Sequence, residues 1–71
     1  MSLRFTENQG ASPQFEALLE AFDGDRRVVV VTSREAIEDF GLEKVQAKAS
    51  EYYALGRLDS AGRVHVLTSD L

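Results

Sequence analysis

Phe15-Glu16-Ala17-Leu18-Leu19-Glu20-Ala21-Phe22-Asp23-Gly24-Asp25-Arg26-Arg27-Val28-Val29-Val30-Val31-Thr32 is the stretch on which the fold turns, because its two halves ask for different backbones. The second half is plain. Four consecutive valines are stiff at χ1 and fit a pleated surface better than a helix, so Val28 to Val31 form a strand. The first half has two readings. Phe15, Leu18, Leu19 and Phe22 fall at the i, i+3, i+4, i+7 spacing of one helical face, and Ser12-Pro13 ahead of them supply a cap and a first helical residue. Against the helix stands Asp23-Gly24 between two apolar runs, a strong hairpin cue, since glycine accepts the positive φ that tight reverse turns demand. On the residues alone, helix and hairpin stand close to even.

Downstream, Ser33 has the chemistry of an N-cap for a helix over Arg34-Glu35-Ala36-Ile37-Glu38-Asp39-Phe40, and Gly41 is its stop. At about two turns, such a helix depends on packing rather than propensity. A second helix starts near Leu42 and ends before Gly56. Its Leu42, Val45, Ala49 and Tyr52 recur at helical spacing, while Glu43, Lys44, Lys48 and Glu51 occupy the solvated surface. Strand character returns in Arg57-Leu58-Asp59 and, after a Ser60-Ala61-Gly62 turn, in Arg63 to Thr68. There Val64 and Val66 face the core, with Arg63, His65 and Leu67 opposite. Upstream, Leu3-Arg4-Phe5-Thr6 alternates as a short edge strand, and the polar stretch from Asn8 to Pro13 has the composition of a loop.

The chain has 71 residues, 12 acidic and 8 basic, one histidine and no cysteine, for a formal charge of -4. A chain this short forms one domain, residues 1–71, and buries only roughly 60% of the surface exposed when unfolded, so a single core carries nearly all the stability. Without cysteine there is no disulfide, thiolate nucleophile, cysteine-ligated zinc or iron–sulfur cluster. The first residues lack the apolar core of a signal peptide and no run is long enough to cross a bilayer, so the expected setting is the cytoplasm.

Phe22-Asp23-Gly24, the Val28 to Val31 strand, Ser33-Arg34-Glu35-Ala36-Ile37 and the ending Gly62-Arg63-Val64-His65-Val66-Leu67-Thr68-Ser69-Asp70-Leu71 together resemble a family of small bacterial proteins, domain of unknown function 1488. The resemblance covers most of the chain from about Phe15. Its members carry an aromatic-Asp-Gly turn, a hydrophobic strand, a Ser-x-x-Ala-Leu-like helix start and a closing Ser or Thr, small residue, Asp and apolar residue. This chain departs from them in a shorter helical region between Gly41 and Gly56. The resemblance implies a small α+β domain in which the segment before the Asp-Gly turn is a strand, and it tips residues 15–22 to that side. The family has no established activity, so it implies no catalytic residue. The expected architecture is a small antiparallel sheet of three to four strands with two helices on one face.

Three constellations invite chemistry, and each has a plainer account. His65 is the only side chain with an unperturbed pKa near neutrality, but no nucleophile stands near it at a recognisable spacing, and a strand-surface histidine explains it. Asp23, Asp25 and Glu20 are too few oxygen ligands for calcium or magnesium, and a hairpin turn explains the same residues. Arg26 and Arg27, joined by Arg63 and His65, would make an anion patch for phosphate or nucleic acid. The overall acidity, pI about 4.8, is unlike the usual basic footprint of nucleic-acid binders, so this is the alternative and nucleic acid the disfavoured partner. Tyr52 and Tyr53 point about 100° apart on a helix, one toward the core and one to its rim. No catalytic residue, cofactor or metal is expected.

The valine run itself carries the most information. Val28 and Val30 face one side of the sheet, Val29 and Val31 the other, so both sides are apolar where helices can cover only one. The second side must be covered by the N-terminal segment, by twist or by a second copy. Exposed contiguous apolar patches on small domains usually mark interaction surfaces. The expectation is therefore a non-enzymatic homodimer with Val29 and Val31 at its interface, acting as an interaction or regulatory module toward an unidentified protein partner.

Overall fold

A computed structural model describes residues 3–12 and 15–71 of the chain. Three strands lead, β1 (Arg4–Ser12), β2 (Phe15–Asp23) and β3 (Arg26–Thr32); helices α1 (Arg34–Phe40) and α2 (Leu42–Ala54) follow, then β4 (Val64–His65) and a single 3-10 turn at Thr68–Asp70. They make an α+β fold on one four-stranded sheet in the order β1-β2-β3-β4.

The hairpin prevails over the helix in the deciding stretch. β2 and β3 pair antiparallel without a slip from Ala17↔Thr32 to Asp23↔Arg26, so Leu18 and Leu19 lie on opposite faces instead of sharing a helical one. The loop is Gly24-Asp25 rather than Asp23-Gly24: Gly24 has φ +61° and among the described residues no non-glycine residue has positive φ, the sign pattern of a type II′ turn. Local spacing favoured the helix equally, but a strand at this position buries Leu19 and Ala21 against Val30 and Val28, its cross-strand partners.

Three expectations need correction. Asn8 to Ser12 is strand, not loop; β1 runs on to Ser12, and its pairing with β2 takes up the turn-prone residues through register shifts between Phe5 and Gln9 and between Gly10 and Ser12. Pro13, the other half of the suggested helix cap, lies outside the described residues. Arg57-Leu58-Asp59 is not strand. Of the stretch from Arg63 to Thr68 only Val64 and His65 join the ladder, and they pair parallel to β3, through Val30↔Val64 and Val31↔His65. The two helices return the chain to the start of β3, which makes a crossover, and a crossover yields a parallel neighbour. The sheet is thus mostly antiparallel with one parallel edge.

The helices form as their caps dictate. Ser33 Oγ accepts from Ala36 N at 3.0 Å, and Gly41, at φ +88°, ends α1 and opens α2 at a backbone angle a side chain would resist. Both helices lie on the face built by Leu19, Ala21, Val28, Val30, Val64 and Val66, which together with Ala36, Val45 and Ala49 form the core. Ala21, Ala36 and Ala49 are fully buried, and their small side chains let helix and sheet approach closely.

Candidate functional site

Each candidate taken from the sequence has a definite place. Arg26 and Arg27 are consecutive on β3 and point to opposite sides of the sheet. The Arg27 Nε donates to Glu20 Oε2 at 2.9 Å, and Glu20 Oε1 accepts from the Thr6 hydroxyl at 3.1 Å. The Arg63 Nε donates to Asp59 Oδ2 at 2.8 Å. The three arginines therefore do not gather into one patch, and two of them already hold carboxylates. Asp23, beside the turn, accepts from the Tyr53 hydroxyl at 2.6 Å, in a shallow cleft of about 380 Å³ shared with Arg26, Ala54 and Leu58. Among the described residues, no three His, Cys, Asp or Glu side chains are arranged to hold a metal ion.

His65 does have a neighbour, and it is one the sequence did not single out. Its Nε2 lies 2.7 Å from Asp59 Oδ2. Asp59 is the organising residue of the turn before β4: its Oδ1 accepts from the backbone N–H of Ala61 at 2.8 Å and of Arg63 at 2.9 Å. With the Arg63 guanidinium and His65 on the other oxygen, the Arg63 backbone bond and the His65 contact foremost, these donors hold the Asp59 carboxyl well below the usual carboxylate range. An Asp two residues before a turn N–H is a local signal; a partner six residues on, across a turn, is not.

Next to this turn the end of α2 brings in a second group. The Gly56 N–H bonds to Tyr53 O at 3.0 Å and the Arg57 N–H to Tyr52 O at 2.9 Å, a full Schellman motif with Gly56 at φ +73°. That reversal folds Arg57 back over the Tyr52 ring, its guanidinium carbon 4.4 Å from the centroid. The Tyr52 hydroxyl donates to Asp70 Oδ1 at 2.9 Å, and Asp70 Oδ2 accepts from Leu67 N at 2.8 Å, which pins the terminal 3-10 turn to α2. The hydrogen bonds to Asp70 and Asp23, reinforced by burial, raise the phenol pKa of Tyr52 and Tyr53 above the ordinary value, so neither is poised as a base. Tyr52, Arg57, Leu58, Asp59, His65 and Asp70 line one open cleft of about 300 Å³. Both tyrosines are half-buried, so neither is the wholly buried member of the pair.

On the far face of the sheet, Val31 is only 2% exposed, flanked by Leu18 on β2 and His65 on β4, whereas Val29 is half-buried, opposite Glu20. Among the described residues, the apolar surface left on this face is thus Val29 with the half-buried Leu18 and Phe22, bordered by Arg4, Glu20 and Arg27.

Fold and sites together define a small α+β protein on a four-stranded mixed sheet, with no helix among the described residues long and apolar enough to cross a membrane. Comparisons with family models, with curated proteins and with solved structures find no match to this chain.

Proposed function

We propose that the chain is a non-enzymatic interaction or regulatory module that self-associates as a homodimer through the open face of its sheet. The observation that carries this is the one-sided cover: both helices pack on the Val28 and Val30 face, and Val29, Leu18 and Phe22 remain partly exposed on the other. The same face offers both signs of charge, Arg27 with most of its side chain in solvent and Glu20 beside it. A two-fold axis through such a face sets Val29 and its apolar neighbours against the same residues of the second copy, the self-complementarity an isologous contact needs. A cytoplasmic setting belongs to the same proposal and suits a chain without cysteine. So does membership of the domain of unknown function 1488 family, supported by the strand–turn–strand around Phe22-Asp23-Gly24 and the Ser33-capped helix. Binding of phosphate or nucleic acid through Arg26, Arg27 and Arg63 has less support, because Arg27 and Arg63 already pair with carboxylates.

Light scattering over a range of concentrations tests the dimer. The expected result is a mass that rises from one chain to two, and Val29→Lys should weaken association by roughly tenfold or more while the denaturation midpoint stays near wild type. A mass of one chain at every concentration up to the millimolar range overturns the proposal.

A further inference from the structure

We propose that the cleft between the end of α2 and β4 binds a small oxyanion, phosphate or carboxylate, through the guanidinium of Arg57. Asp59 has both oxygens occupied, Oδ1 by the N–H groups of Ala61 and Arg63 and Oδ2 by the Arg63 Nε and His65 Nε2. Asp70 accepts from the Tyr52 hydroxyl on one oxygen and from Leu67 N on the other. Both carboxylates are therefore engaged by donors from within the chain, and the Tyr52 hydroxyl is spent as well.

Arg57 is different. Among the described residues its side chain meets the Tyr52 ring and no carboxylate. Its guanidinium carbon lies 4.4 Å from the ring centroid, and among the described residues no hydrogen bond takes up its N–H donors. Arg57 is thus the cation of the cleft that no carboxylate of the described residues matches, and a fork-shaped guanidinium is best matched by the paired oxygens of an oxyanion. The donor is also held in advance: the Schellman reversal fixes the Arg57 backbone on Tyr52 O, and the ring supports the side chain, so less freedom is lost on binding than for an ordinary surface arginine. A cleft of about 300 Å³ admits a small ligand, with Leu58 as its apolar wall. This site is separate from the sheet face proposed for self-association and does not depend on it.

The test is a titration of isotope-labelled chain, followed by amide and Arg Nε–H resonances, with inorganic phosphate in one arm and acetate in another, ionic strength held constant with sodium chloride. Saturable shifts at Arg57, Leu58 and His65 are expected in at least one arm, and the arm that saturates identifies the ligand type. Arg57→Gln should weaken that binding roughly tenfold, with Arg57→Lys in between because it keeps the charge but loses the fork. Unshifted core amides at Val30 and Val45 report that the variants remain folded. Repeating the titration in Val29→Lys should leave the affinity unchanged, which separates this site from the dimer. Shifts that never saturate in either arm, or an Arg57→Gln chain that binds as well as wild type, overturn the proposal.

Discussion

The two faces of the β2–β3 hairpin are made from the same residue types and meet different fates. On the helix-covered face Val28 and Val30 are 1% and 0% exposed. On the other, Val29 keeps part of its surface although its intrinsic preferences are identical. Val31 breaks the pattern on its own face, at 2% exposed, because β2 and β4 both pass beside it. Burial of a valine here is decided by how many strands and helices surround it and not by which way the strand turns it.

That contrast can be broken most directly by truncating one valine on each face. Val30→Ala should destabilise by about 2–3 kcal/mol, the transfer and cavity cost of a closed site, and Val29→Ala by less than about 1 kcal/mol. Chemical denaturation measures both, and equal losses would mean that the second face is as well covered as the first. A smaller effect comes from the helix that does the covering. Ser33→Ala removes the acceptor for the Ala36 N–H and should cost about 1 kcal/mol, again by denaturation, with Ala36 and Ile37 amides losing protection first.

The smallest effect concerns the turn that leads into β4 and so places Val64 and Val66 on the covered face. Asp59 titrates below its usual range when folded, so its contribution is present above the unfolded pKa, near 3.8, and is lost as pH falls through the acid range below it. Stability of the wild type should therefore fall more steeply below about pH 4 than that of Asp59→Asn, seen as converging denaturation midpoints at low pH. Parallel pH curves would mean that the Asp59 contacts contribute nothing to holding β4.

Much of the fold was legible in the chain because its signals are local. Ser33 and Gly41 bound α1, Gly56 closes α2, and four β-branched residues in a row make β3, each through backbone sterics or a cap within a few residues. The stretch from Phe15 to Phe22 was not legible on those terms, since its apolar spacing suits a helix and a strand alike. The family resemblance tipped it to strand, and the pairing with β3 shows why the strand wins. β4 failed for a related reason: alternation from Arg63 to Thr68 was real, but just two residues have a neighbour to pair with, and their parallel direction follows from the crossover of two helices.

The candidate cleft was less legible still. His65 and the two tyrosines stood out by type, while Arg57 and Asp59 were read as strand and Asp70 as part of a closing motif. Tyr52 and Asp70 are eighteen residues apart, and nothing in either residue announces the other. Where the helices start and stop, and that one strand is apolar on both sides, follow from the residues alone, because caps, glycine and β-branching act over a few bonds. Which valine stays accessible and which charges are already matched come from the folded arrangement, because exposure and pairing depend on what the rest of the chain brings alongside.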